Sequence, residues 1–294
     1  MEKISILKKR RVMKGWGISL TYLGYSAIFW GYPFVWLVIL TFSKWRYAGS
    51  PKFTGIDNIL RVLSDELFWK TFLNTLNFML YYIPMVLILS LLFAVALSKI
   101  KYMKSFIVLS FLVANISSGV AYSIIFSKLF AENGPLNQTL YKAFGVTVPW
   151  FTNPQFAMLS IAIIVVWKFI GYYGLILYAG VQAIPKSVYE AAELDGAGKL
   201  TRFFKITIPL INPSLVMVTV MAITLAFGIF TEPYMITGGG PMRSTLSPMM
   251  LMYTTAFQKL DPTYSATMSI FVALMSFTIV FIFRKLFERE VNFQ

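Results

Sequence analysis

Residues 185–209 read PKSVYEAAELDGAGKLTRFFKITIP, a polar stretch between two apolar segments. The start of this stretch predicts a short helix, since Ser187 and Glu190 match the capping-box pattern S-x-x-E. Gly196 and Gly198 predict where that helix ends. A short helix with a small apolar face and a rim of carboxylates suits docking into a groove of another protein. An amphipathic loop without a partner explains the same pattern equally well.

Working outward, six apolar segments surround this stretch. Hydrophobic residues make up 57% of the 294 residues and charged ones only 13%, against about 25% charged in soluble domains. Each segment reaches the roughly 20 residues that a membrane-spanning helix needs. The sequence therefore predicts an all-α membrane protein whose transmembrane domain covers residues 18–287. The predicted spans are approximately 18–43, 71–98, 105–130, 155–182, 211–234 and 263–286.

The basic residues indicate the orientation of these spans. The formal net charge is +14. Most Lys and Arg residues lie in the tail 1–17, in the connections 99–104 and 186–205, and near the C-terminal tail 288–294. Because basic residues concentrate on the cytoplasmic side of a membrane protein, both termini are predicted to be cytoplasmic. Topology thus accounts for the charge, and no nucleic-acid partner is needed.

Several kinds of chemistry are excluded by composition and motif. The chain has no His and no Cys, so it has no His base, Cys nucleophile or Cys/His metal site. Leu200 follows Gly196-Ala197-Gly198-Lys199 where a nucleotide-binding loop needs Ser or Thr. Gly238-Gly239-Gly240 lacks the lysine of a phosphate cradle, and among carboxylates only Glu232 lies close to a span. The sequence therefore predicts a non-catalytic subunit with no cofactor and no metal site, driven by a partner.

The polar stretch also resembles a known motif. Glu190-Ala191-Ala192, then Gly196, then Ile206, Ile208 and Pro209 match the spacing of the EAA motif of bacterial ABC importer permeases. Ile208 stands where leucine is commoner. The cytoplasmic side and the position before the penultimate span agree with that motif.

A second resemblance narrows the family. Residues 236–241, ITGGGP, with Thr245 further on, are similar to the L-T-G-G-G-P-x-x-x-T segment of carbohydrate permeases. Residues 55–75 resemble the region before the second span in those proteins. The resemblance covers about 18–287 and indicates a maltose-permease-like subunit that lacks a large inserted periplasmic domain.

The resemblance implies a type I ABC importer permease fold in a bacterial cytoplasmic membrane. It implies a second, non-identical permease, two copies of a cytoplasmic ABC ATPase that binds ATP and magnesium, and an extracytoplasmic solute-binding protein. Residues implied to contact the ATPase are Glu190, Ala191, Ala192 and Gly196. Residues expected near the outer gate or the binding-protein dock are Gly238, Gly239, Gly240 and Pro241, although a plain turn explains them equally well.

Residues that contact the sugar are harder to choose from sequence. Sugars bind to aromatic faces and a few polar groups, and a lysine in the middle of a span is costly unless it faces water or a partner. Candidates for the substrate pathway are Asn115, Lys168, Tyr172, Tyr173, Phe227, Phe230 and Glu232. Packing or lipid contact is the alternative for each aromatic residue. For the whole chain, the alternatives are a solitary secondary carrier and an ABC permease for a non-sugar solute.

Overall fold

The computed structural model describes Trp16 and residues 19–289. The basic residues of the predicted tail 1–17 lie outside the described residues, as do residues 290–294 of the C-terminal tail. The elements are α1 (Ser19–Thr41), β1 (Ser43–Lys44), β2 (Lys52–Phe53), α2 (Asp57–Ser64), α3 (Glu66–Lys99), α4 (Lys104–Ile116), α5 (Gly119–Leu129), α6 (Pro135–Phe144), α7 (Pro154–Gln182), α8 (Lys186–Leu194), α9 (Lys199–Arg202), α10 (Asn212–Gly228), α11 (Pro248–Tyr253) and α12 (Pro262–Phe287).

Five single helical stretches are long and apolar enough to cross a membrane. They are α1, α3, α7, α12 and the stretch Asn212–Thr237, which begins with α10. Each coincides with one of the predicted spans. The predicted span at 105–130 corresponds to α4 and α5, which together are long and apolar enough for a sixth span but meet at a bend of 95°. At the bend, Ser117 and Ser118 have extended backbone with ψ of 145° and 129°, so the helix cannot continue through them.

The chain divides into two compact units. The first contains residues 1–65 and 252–270. In it, β1 and β2 pair antiparallel, with Ser43 opposite Phe53. Asn58 Nδ2 donates hydrogen bonds to the carbonyl oxygens of Thr41 and Ser43, which fixes α2 to the end of α1.

The second unit contains residues 66–251 and 271–294. Its core is built by α3, α7 and α10, whose apolar faces bury Tyr82, Ile161 and Ala222. Small residues let these helices approach closely, as is usual between membrane helices. A Cβ atom on Gly180 of α7 would lie 2.4 Å from Ser214 Oγ of α10. The α7 helix is thus held at fixed distance from its neighbours.

Candidate functional site

A second membrane-spanning stretch is interrupted, in the same unit as the bend between α4 and α5. The α10 helix ends at Gly228, and Ile229 has extended backbone with ψ of 125°. Helical structure resumes at Thr231 and continues into the π-helical turn Pro233–Thr237. Non-helical backbone within a span is tolerated only where protein covers it or where it lines a cavity. The interruption therefore marks a place to look for a binding site.

The two interruptions meet. The α5 helix packs against the turn Pro233–Thr237. A Cβ atom on Gly119, the first residue of α5, would lie 3.1 Å from Thr231 Cγ2, so the two breaks are in close contact at this glycine. Broken helices that face each other are a common way to build transporter binding sites.

A cavity of about 270 Å³ lies beside the break after α10. Lys168, at the midpoint of α7, lines it together with Phe230, Thr231 and Glu232. Lys168 Nζ lies 4.4 Å from the centroid of the Tyr122 ring, a cation–π contact. Glu232 is buried. Within the described part of the chain, no ion pair joins Lys168 or Glu232 to any other residue.

The other predicted pathway residues are dispersed. Tyr173 is buried in the core, and Tyr172 packs at the edge of that core. Phe227 is buried, with its ring 6.2 Å from that of Phe72. Asn115 lies in the last turn of α4, directly before the bend, and is half-buried. In this conformation the cavity therefore brings together only three of the predicted residues, Lys168, Phe230 and Glu232.

Sequence reasoning missed Tyr122 and Thr231. Tyr122 carries the ring below Lys168, and Thr231 contacts the bend of the neighbouring span. Two signals point to the interruptions: the small residues Ser117-Ser118-Gly119 in one span and Gly228 in the other. Neither signal identifies the partner across the gap.

The predicted docking segment is exposed. None of the residues of α8 is buried, and Leu194 at its end is 90% exposed. Glu190 and Ala191 are exposed, and Ala192 is half-buried. The segment therefore lies at the surface of the described part of the chain.

Gly196 ends this helix in a Schellman motif. Its φ is +75°, and its amide donates to the Glu193 carbonyl at 3.0 Å. The amide of Ala197 donates to the Ala192 carbonyl at 2.9 Å, which completes the pair of bonds that defines the motif. The predicted role of Gly196 as helix end is confirmed by this geometry. Any residue with a Cβ atom would be strained at this φ.

The capping box predicted from Ser187 and Glu190 was wrong. The helix starts two residues earlier than a cap at Ser187 requires, at Lys186, with Pro185 as N-cap and no side-chain capping bond. Because Pro185 supplies the carbonyl at the N-cap, Ser187 is already inside the first turn.

Two contacts hold α8 to the segment that follows it. Tyr189 Oη lies 2.9 Å from Thr207 Oγ1, and Arg202 Nη1 lies 3.0 Å from Glu193 Oε2. The first contact reaches the π-helical turn Phe203–Thr207, which leads towards α10. Movement of α8 is thereby connected to a spanning helix.

The glycine-rich loop is fixed by its own hydrogen bonds. Thr245 Oγ1 donates to the Gly240 carbonyl at 2.7 Å, and the Thr245 amide donates to the Gly239 carbonyl. Asn74 of α3 donates to the carbonyls of Arg243 and Leu246. Asn74 therefore holds this loop in place. These hydrogen bonds account for a polar Asn74 side chain in α3 without a contact to substrate. We call residues 237–247 the glycine-rich loop below.

A separate polar cluster lies in the first unit. Arg61 Nη1 lies 2.6 Å from Asp261 Oδ2, and the guanidinium stacks 3.7 Å from the centroid of the Tyr264 ring. Burial raises the pKa of the Asp261 carboxyl, but hydrogen bonds from Arg61, the Tyr264 amide and Thr263 outweigh burial and lower it overall. The charges of this cluster are paired with each other, which is typical of a structural role.

The sequence matches a family of membrane transport proteins. The model of the binding-protein-dependent transport system inner membrane component matches residues 64–293. The chain belongs to this family. The chain is a multi-pass membrane permease, and its relatives are permease subunits of transport systems.

Similar proteins and structures agree with this assignment. The lactose transport system permease protein LacF of Rhizobium radiobacter is 32% identical over 92% of this chain and 93% of its own. The sulfoquinovosyl glycerol transport system permease protein SmoG of Agrobacterium fabrum is 32% identical, covering 88% and 85%. The sn-glycerol-3-phosphate transport system permease protein UgpA of Yersinia pestis is 30% identical, covering 94% and 95%.

The fold is also found in a solved structure. A bacterial ABC transporter that imports the acidic polysaccharide alginate contains a chain that superposes with a TM-score of 0.79 at 18% identity, covering 96% of this chain and 98% of that one. The similarity confirms the predicted ABC importer permease fold. At this identity it carries no information about substrate.

Proposed function

We propose that this permease is one of two non-identical transmembrane subunits of an ATP-driven importer of a carbohydrate or a related glycerol derivative. The observation that carries the proposal is the set of relatives at 30–32% identity, which match most of their length and are named for lactose, sulfoquinovosyl glycerol and glycerol-3-phosphate. Family membership favours this function over a solitary secondary carrier. A non-sugar solute is the second candidate.

We place the substrate path at the cavity beside Lys168. Phe230 offers an aromatic face, stacked on Tyr234 with centroids 5.0 Å apart, and such faces bind the apolar side of a sugar ring. Lys168 and Glu232 supply a donor and an acceptor for hydroxyl or anionic groups. Both residues line the cavity beside the break after α10, the kind of place where transporters bind substrate.

We assign α8 as the docking helix for the partner ATPase, which binds ATP and magnesium. The exposed Glu190 can accept a charge-assisted bond from an arginine of that subunit, and the exposed Ala191 permits close approach. Closure of the ATPase would move α8, and the contact between Tyr189 and Thr207 would transmit the movement towards α10.

The remaining partners follow from this assignment. We place α8 and both termini in the cytoplasm, consistent with the distribution of Lys and Arg. The glycine-rich loop, with Gly238, Gly239, Gly240 and Pro241, would then lie outside, near the gate or the solute-binding protein. Membrane lipid surrounds the spans, and no nucleic acid is involved.

Co-purification from native membranes tests the assembly. The tagged chain is compared with the double variant Glu190→Lys, Gly196→Trp and with the control Gly145→Trp. Gly145 also has positive φ, at +69°, and ends an exposed helix, α6, so the control introduces the same backbone strain elsewhere. We expect an ATPase and a second permease with wild type and control, and loss of the ATPase from the double variant.

The opposite results are informative. If the wild-type chain emerges alone, the importer assignment fails and a solitary carrier is favoured. If the double variant retains its ATPase, α8 is not the docking helix. The substrate class is then read from the purified complex: stimulation of ATP hydrolysis by sugar-loaded, but not amino-acid-loaded, binding protein supports a carbohydrate.

A further inference from the structure

A large groove lies beside α8, within the second unit. It has a volume of about 780 Å³ and is bounded by the last turns of α3 and α7, by α8 and by the segment Lys199–Thr207. Leu92 and Val95 of α3 form part of its apolar wall. The groove is thus as large as a small-molecule pocket and lies where two spans end.

The rim of the groove is cationic. Lys99, Lys186, Lys199 and Arg202 line it, and no Asp or Glu does. Arg202 is paired with Glu193. In the described residues, the three lysines make no ion pair with any carboxylate. All three are exposed. An apolar wall below a rim of three unpaired ammonium groups matches a molecule with an anionic head and an apolar tail.

We propose that this groove, called the lysine groove below, binds an anionic phospholipid of the inner leaflet. The phosphate would lie among Lys99, Lys186 and Lys199, and one acyl chain would lie against Leu92 and Val95. Basic pockets between membrane helices at the cytoplasmic surface have the chemistry to hold such headgroups. The proposal rests on the cytoplasmic placement of α8 made above.

Charge complementarity favours a lipid over other occupants. The N-terminal segment 1–17 of this chain carries several Lys and Arg residues and would be repelled by the lysine rim. A lipid also reaches the groove directly from the membrane, since Lys99 is the last residue of the spanning helix α3. Bound there, it would connect the ends of two spans to α8. Anionic lipid would then stabilise the coupling segment and raise the rate of transport.

The test uses the purified complex in nanodiscs with defined amounts of phosphatidylglycerol in phosphatidylcholine. The triple variant Lys99→Gln, Lys186→Gln, Lys199→Gln is compared with Lys101→Gln, Lys205→Gln, Lys285→Gln. The second set removes the same charge from exposed lysines that do not line the groove. Native mass spectrometry counts retained phosphatidylglycerol, and ATPase co-purification checks that docking survives.

We expect each groove lysine removed to weaken phosphatidylglycerol binding about fivefold, with little change in the control set. Equal weakening in both sets would show a general surface charge effect and overturn the proposal. Retention of phosphatidylcholine as strongly as phosphatidylglycerol would overturn it as well. Each of these results leaves subunit assembly intact, so failure here is distinct from failure of the importer assignment.

A cysteine probe tests the occupant directly. Because the chain has no cysteine, Leu92→Cys gives a single labelling site in the groove. A fluorophore there should be quenched more by brominated phosphatidylglycerol than by brominated phosphatidylcholine, whereas a label at Leu80→Cys, exposed on the same helix, should not discriminate. Crosslinking of the groove label to the ATPase or to the second permease would show that protein fills the groove, and would overturn the proposal.

Discussion

The cavity beside Lys168 and the glycine-rich loop differ in how their polar groups are bonded. In the loop, Thr245 bonds to Gly239 and Gly240, and Asn74 bonds to two further carbonyls. In the cavity, Glu232 is buried and makes no ion pair, and neither does Lys168, within the described residues.

The difference separates structure from function. A buried polar group that is already satisfied stabilises the fold, and its loss is measured as stability. A charge inside a span without an ionic partner is costly, and such residues commonly mark functional sites. Substitutions in the loop should therefore lower stability first, and substitutions in the cavity should lower transport with little change in stability.

The largest effect is expected at Gly239. Its φ is +84°, and a Cβ atom would lie 3.1 Å from Leu246 Cδ1 and 3.2 Å from Met250 Cε. Gly239→Val should combine backbone strain with overpacking and destabilise the protein by about 3 kcal/mol, which lowers the melting temperature by roughly 6–12 °C.

Gly238→Val is the matched control. Gly238 also has positive φ, at +59°, but a Cβ atom there has no neighbour within 4 Å. The difference between the two melting temperatures, measured in detergent, isolates the packing contribution. Equal melting temperatures would mean that the loop relaxes freely. Normal transport by Gly239→Val would favour a plain turn over an outer gate or a binding-protein dock.

The second-largest effect is expected from Lys168→Met, which tests the role of the cavity. Methionine keeps a long unbranched side chain but removes the charge that lines the cavity. A charged hydrogen bond contributes about 1.5–3 kcal/mol, so uptake should fall about 10–100-fold while the melting temperature stays close to that of wild type. Lys142→Met, on the exposed helix α6, is the control. Unchanged uptake would exclude Lys168 from the substrate path, and a large fall in melting temperature would mean that its contact with Tyr122 is structural.

The same contrast explains how much the sequence could predict. The spans could be predicted from the sequence because hydrophobic length is a local property. The end of α8 at Gly196 could be predicted because a Schellman motif needs glycine at one position. The bend after Ser117 has only a weak signal, the small residues Ser117-Ser118-Gly119, because such residues also occur inside continuous membrane helices. The cavity depends on residues from separate spans, so no local pattern predicts it.

Asn74→Ala should have a smaller effect. It removes two hydrogen bonds, 2.8 and 2.9 Å long, to carbonyls of the glycine-rich loop. The expected destabilisation is about 1–2 kcal/mol, measured as melting temperature. Asn77→Ala, exposed three residues further along α3, should be close to neutral. If Asn74→Ala instead reduces uptake without lowering stability, Asn74 contacts substrate and the contrast between loop and cavity is broken.

The smallest effect concerns a charge that does have a partner, Asp261 beside Arg61. Its folded-state pKa is lowered from the ordinary 3.8, so the carboxylate contributes stability above that pH and loses it as the pH falls through the lower folded value. Because the Arg61 side chain is 53% exposed, the contribution should stay below about 1 kcal/mol. Asp261→Asn should therefore melt slightly below wild type at pH 7, and this difference in melting temperature should close below about pH 4.

The control is Asp57→Asn. It removes a carboxylate that lines the same pocket as Arg61 and Asp261 without breaking the ion pair between them. A gap that persists at low pH would show that the Asp261 side chain acts through its hydrogen bonds to Thr263 and Tyr264 rather than through its charge.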